Sequence, residues 1–142
     1  MTILHIIKKQ GLGLCVKVPT IGVDGKPFEI EALASTGVAV CYMSERMYAK
    51  LSNEPVVKSK SPHESGAYYI GTIRDYGIGT ISVFRVGNEV LKDITVIVTN
   101  FSESYGVECI LGHYVICAGT GIIMDFSEGQ VVLNPDRDAI GE

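Results

Sequence analysis

Apolar residues at every second position, closed off by glycine-containing turns, constrain this chain more than any other feature. Leu14, Val16 and Val18 fall on one face of an extended segment, and Phe28, Ile30 and Ala32 on one face of the next. A period of two belongs to strands. The intervening Val23-Asp24-Gly25-Lys26 is a hairpin turn, because glycine enters positive φ without a steric penalty. The pattern recurs where Ile81 and Val83 lead into Val86-Gly87-Asn88-Glu89 and Ile94, Val96 and Val98 alternate on the return. Ile122-Ile123-Met124-Asp125-Phe126, a turn through Glu128-Gly129 and Val131-Val132-Leu133 predict a closing hairpin. Sixteen Gly, five Pro, no Trp and many β-branched residues disfavour long helices, so the fold class is mainly β.

Two short helices interrupt the strands. Ser44 suits an N-cap, and Met43, Met47 and Leu51 recur at helical spacing. His113 to Ala118 is apolar nearly all round and stops at Gly119 and Gly121, which predicts a buried helix.

A chain of 142 residues, 46% hydrophobic and 20% charged, is one domain over 1–142 with a core of its own. Twelve Lys and Arg stand against sixteen Asp and Glu, for a formal net charge of -4. With no basic cluster, nucleic acid is excluded as a partner. MTILHIIKKQ has neither the order nor the length of a secretory signal, and no apolar run is long enough to span a membrane. Cys15, Cys41, Cys109 and Cys117 form no C-x-x-C pair and sit in apolar surroundings, as buried thiols of a cytoplasmic protein do. No spacing of ligands suggests a metal or a cofactor.

The most informative stretch is EIEALASTGVAVCYMS, a strand running into Ser35-Thr36-Gly37 and out through a second apolar strand toward a helix. Further on, Ile110-Leu111-Gly112 precedes the second helix, and Asp125-Phe126-Ser127 with Gly129 and Val131-Val132-Leu133 closes the chain. Together these resemble the retropepsin-like aspartic proteases, over most of the chain's length. The resemblance implies a closed β-barrel with a flap hairpin and one or two short helices, acting as a homodimer on peptide or protein substrates. It implies aspartic endopeptidase chemistry, in which two carboxylates share a proton so that one activates water while the other protonates the substrate carbonyl. One motif supplies half of such a site, and a twofold partner supplies the rest.

Ser35 stands where that family carries its catalytic Asp. A hydroxyl neither ionises near neutral pH nor shares a proton as a carboxylate does, so the chain as written is expected to be inactive. Thr36 and Gly37 retain the family's pattern, with Thr36 expected to bond across the axis and Gly37 to allow close backbone approach. Ala34 and Val38 depart from the common flanks. Natural loss and deliberate inactivation both account for Ser35, and a natural pseudoprotease that binds peptides or acts as a scaffold is the alternative reading. An unrelated β-domain with a chance Ser-Thr-Gly is a third.

Nucleophilic serine chemistry would need a base, and the histidines are His5, His63 and His113. No G-x-S-x-G elbow surrounds a serine, and for His113 a solvated or helix-end role is the ordinary one. The resemblance places a flap tip near Ser65, Gly66 and Ala67, with Tyr68, Tyr69 and Ile70 lining a peptide channel; a plain surface hairpin would use the same residues. Asp24, Asp75, Asp93 and Asp125 are assigned to turns and local structure. For the dimer interface the termini are the candidates, Ile3 to Ile7 and Val131 to Leu133.

Overall fold

The computed structural model describes residues 1–9, 13–59, 76–101, 105–119 and 121–134. In chain order these form β1 (Thr2–Ile7), β2 (Cys15–Ile21), β3 (Pro27–Ala34), β4 (Cys41–Met43), α1 (Glu45–Leu51), β5 (Val57–Ser59), β6 (Tyr76–Val86), β7 (Glu89–Val98), β8 (Cys109–Leu111), α2 (His113–Ile116), β9 (Ile122–Asp125) and β10 (Gln130–Leu133). The strands make one ten-stranded sheet in the order β5-β6-β7-β4-β8-β3-β2-β1-β10-β9. The mainly β expectation holds. The three expected hairpins are present as β2–β3, β6–β7 and β9–β10, all antiparallel.

The hairpin turns follow from their residues. Gly25 at φ 78° and Gly87 at φ 62° supply the left-handed positions. The Asp24 carboxylate accepts the Lys26 N–H at 2.9 Å, holding the first turn closed. In the second hairpin strict alternation fails. Ile81 and Phe84 are both fully buried although three residues apart, and Val83 between them is 48% exposed. The cause lies opposite, where Asp93 takes φ 54° inside β7 instead of standing beside a turn as its sequence context suggested. A left-handed non-glycine residue there re-aims the side chains on either side.

Although β2 and β6 lie five places apart in the sheet, they pack together, so the sheet curls around its apolar face. The tip of the β6–β7 hairpin is tied down by the Gly87 N–H donating to Pro19 O at 2.8 Å. The Thr2 hydroxyl donates to Val86 O and accepts the Asn88 N–H at 2.8 Å. Inside the curl, Leu4, Val16, Val18, Ile30, Ile81, Phe84, Val86, Val96 and Val131 form the main core with Met47 and Leu51 of α1. Each such side chain contributes roughly 1.5–3 kcal/mol when fully buried. Helix α1 begins as expected, with the Ser44 hydroxyl accepting the Met47 N–H at 3.1 Å. The same hydroxyl donates to Glu108 Oε1, which the Arg46 guanidinium also grips, so the cap joins the helix to the segment entering β8.

A second, smaller core lies on the other face of the sheet. Register places Cys15, Leu33, Ile110, Tyr42 and Ile97 side by side across five strands. Val38 and Val107 join them from loops.

Cys15, Cys41 and Cys109 are buried, as read from the sequence, but Cys117 at the end of α2 is exposed. Burial pushes the Cys41 thiol up to about 11 and the Cys109 thiol well above its ordinary value. A thiol reagent at pH 8 should therefore modify Cys117 and spare the other three until the chain unfolds. Rapid labelling of a second thiol in the folded protein would contradict this packing. Because folded Cys41 keeps its proton where the unfolded thiol has lost it, its contribution is intact below pH 9 and is lost as pH rises toward about 11. That loss is at most about 3 kcal/mol, readable in denaturant midpoints.

Candidate functional site

The Ser35 loop is built by a change of hydrogen-bond partner at the end of β3. The Ala34 N–H still donates to Leu14 O beside β2, at 2.8 Å, whereas the Ser35 N–H donates to Leu111 O of β8, at 2.9 Å. Strands β3 and β8 are parallel here, with Leu33 opposite Ile110 and Ala34 opposite Leu111. Parallel neighbours cannot be joined by a tight turn. The chain therefore passes through the loop, β4, α1 and the long hairpin before returning as β8.

Ser35 is buried at 7% exposure, and its Oγ accepts the Gly37 N–H at 3.2 Å. A hydroxyl bonded to the backbone two residues on is a local turn that serine makes readily. Thr36 and Gly37 are exposed at the tip, while Val38 turns back into the second core at 2% exposure. The loop's outgoing carbonyls are then taken by α2. Val38 O accepts the His113 N–H at 2.7 Å and Ala39 O accepts the Tyr114 N–H at 3.1 Å. These are first-turn donors that a helix leaves unsatisfied, and α2 has no side-chain cap of its own.

Gly112 makes this seat possible. A Cβ on it would lie 2.3 Å from Val40 O and 3.0 Å from Val38 O. Ile110-Leu111-Gly112 thus has a physical meaning: two aliphatic residues for the two cores and a glycine where the loop's backbone crosses. Val38, read from the sequence only as an unusual flank, is the loop's apolar anchor. Its signal was one apolar residue directly after an exposed Thr-Gly.

At the end of β1 and the start of β2, around Leu14, opens a cavity of about 640 Å³. Ile6, Ile7, Leu14 and Phe126 give it an apolar wall, and Lys8 and Lys9 contribute to its lining. Lys9 bonds Glu31 at 2.9 Å and Gly106 O at 3.1 Å, which pins the end of β1 to β3 and to the segment before β8. A cavity this size with apolar walls accommodates side chains of a peptide or a small ligand.

Several sequence expectations meet different surroundings. Helix α2 is shorter than the expected His113–Ala118 and only half buried, with Val115 and Ile116 inside and Tyr114 66% exposed. His113 begins it, exposed, with its ring edge-on to Tyr114 at 5.8 Å. His5 is exposed on β1, and His63 lies outside the described residues. Asp125, by contrast, holds the β9–β10 turn as its local assignment implied, accepting from the Ser127 hydroxyl at 2.8 Å and the Glu128 N–H at 3.1 Å. Those bonds lower its pKa. The expected flap residues Ser65, Gly66, Ala67, Tyr68, Tyr69 and Ile70, with Asp75, also lie outside the described residues. Among the described residues no group of three or more His, Cys, Asp or Glu side chains could hold a metal, and no helix is long and apolar enough to cross a membrane.

This arrangement, a curled β-sheet with a loop seated between two parallel strands and a short helix, is the fold of a retropepsin-like aspartic protease. A solved structure of such a protease from Rickettsia conorii superposes with a TM-score of 0.61 over 93% of this chain and 88% of the other, at 13% sequence identity. That likeness shows the fold. No protein-family model matches the sequence, and no curated protein matches it.

Gly112→Ala should cost stability sharply, because the added methyl meets backbone and not a movable side chain. A loss of about 2 kcal/mol or more is expected, within the range for overpacking a tight site. Denaturant unfolding of the two forms checks it, and a change below about 0.5 kcal/mol would mean that the loop does not rest on α2 as described.

Proposed function

We propose that this chain is a retropepsin-like protomer of the aspartic endopeptidase class, inactive as written because Ser35 occupies the carboxylate position. The observation that carries the proposal is the Ser35 loop itself, held by Leu111 O on one side and by α2 on the other. Two copies related by a twofold axis would place two such loops face to face, each contributing residue 35. The exposed Thr36 hydroxyl is assigned to bonding across the axis, and Gly37 to the close approach of the two backbones. The cavity around Leu14 supports a role in holding an extended peptide, and the flap role stays with Ser65 to Ile70 by resemblance alone.

With Asp at position 35, two carboxylates would share one proton, one of them polarising water and the other protonating the scissile carbonyl. Serine performs neither step. One observation favours the second reading, a natural pseudoprotease that binds peptides without cutting them. Ser35 Oγ already satisfies the Gly37 N–H, so the loop closes without a carboxylate.

Ser35→Asp separates the two readings. If the chain is an endopeptidase lacking only its acid, the variant should hydrolyse peptides at acid pH and be blocked by a pepstatin-type inhibitor, while the Ser35 form shows no cleavage. An inert variant that still binds peptide would support the pseudoprotease instead. The paired carboxylates should also raise one apparent pKa above its unfolded value, so the Asp form should lose stability relative to the Ser form between about pH 5 and 8. Parallel melting profiles across that window would show that residue 35 of the two copies never meet.

A further inference from the structure

We infer that this chain binds a free branched-chain amino acid, of the size of leucine, in a pocket between the β2–β3 hairpin, the end of α1 and β6. The site stands apart from the Ser35 loop and from the peptidase reading above. It encloses about 320 Å³, near the lower end for small-ligand sites, which suits one amino acid and not an extended peptide. Ile21, Val23, Leu51 and Val83 form its apolar walls. Ile21, Val23 and Val83 are each between 41% and 48% exposed, so three half-bare aliphatic side chains from two distant segments converge on one hollow. Val83 joins them because the left-handed Asp93 on the neighbouring strand turns it away from the core.

The pocket is preformed, because the end of α1 fixes both of its walls. On one side the Val23 N–H donates to Lys50 O at 2.9 Å, and Gly22 permits that approach, since a Cβ there would lie 3.0 Å from the same carbonyl. On the other side the Ser52 hydroxyl donates to Thr80 O at 2.6 Å, and the Tyr48 hydroxyl accepts the Thr80 N–H at 3.1 Å. Below, the Gly87 N–H reaches Pro19 O and joins β6 to β2. A site held on fixed elements loses little of its binding free energy to ordering.

The charges of the pocket are two and of opposite sign. Arg85 and Glu54 both line it, and among the described residues neither forms an ion pair with the other or with a neighbour. A guanidinium matches a carboxylate, a carboxylate matches an ammonium, and aliphatic walls match a branched side chain. A free amino acid carries all three groups on one carbon. An aliphatic carboxylate without the amine would leave Glu54 unanswered, and an aliphatic amine would leave Arg85 so.

Titration of the isotope-labelled intact chain, followed through its backbone amide resonances, tests this. L-Leucine should shift the amides of Val23, Ser82 and Arg85 saturably, with a Kd of about 1 mM or tighter. Glycine has the same charges without the side chain, and isocaproate has the side chain and carboxylate without the ammonium, so each should bind about tenfold more weakly or worse. Arg85→Gln and Glu54→Gln should each raise the leucine Kd about tenfold or more, with amides elsewhere unmoved. Lys92→Gln, exposed on β7 and outside the pocket, should leave it unchanged. No saturable shift at about 20 mM leucine would overturn the site. Glycine or isocaproate binding as tightly as leucine, or a leucine Kd indifferent to Arg85→Gln or Glu54→Gln, would overturn the assignment of an amino acid to it.

Discussion

The parallel contact between β3 and β8 is the constraint on which the rest of the structure depends. It is only two residue pairs long, yet the whole middle of the chain exists to return β8 to that position. Once there, Leu111 O takes the Ser35 N–H and Gly112 sits under Val38 and Val40, so one short strand fixes both the start and the seat of the loop. The two hydrophobic clusters then lock β8 from either face, because Leu111 belongs to the main core and Ile110 to the smaller one. A strand buried on both faces reads as a continuous apolar run, which is why Cys109-Ile110-Leu111 carries no alternation.

Much of the fold was legible because its signals were local. Hairpin turns, the Ser44 cap and the helical spacing of Met47 and Leu51 each depend on residues close together in sequence. What stayed hidden depends on tertiary partners. The switch of faces between Ile81 and Phe84 follows from Asp93 on the opposite strand, and no window of β6 alone contains that information. The placement of β1 inside the sheet was hidden for the same reason, since its pairing with β10 joins the two ends of the described chain. Cys117 looked as apolar in context as its buried counterparts, and only the early end of α2 leaves it exposed.

Part of the site was legible too, though unequally. Ser35-Thr36-Gly37 and Ile110-Leu111-Gly112 stood out as short motifs, and the structure brings them together through backbone hydrogen bonds. Leu14 was read only as a strand residue and Val38 only as an unusual flank, because a carbonyl partner has no residue-type signature and an apolar anchor looks like any other aliphatic. The role of Lys9 was equally silent. A lysine that joins Glu31 to the carbonyl of Gly106 differs from a solvated one only in where the fold puts it.

The loop's support is independent of what residue 35 does chemically. Its hydrogen bonds to Leu14, Leu111, His113 and Tyr114 are all between backbone groups, and its apolar anchor is Val38. The Gly37 N–H also reaches the residue 35 side chain, and a hydroxyl and a carboxylate oxygen can both accept it. A change of side chain at position 35 therefore leaves those backbone bonds in place. The loop keeps its shape through β8, α2 and the carbonyl beside β2, because the groups that hold it are backbone atoms drawn from distant parts of the chain.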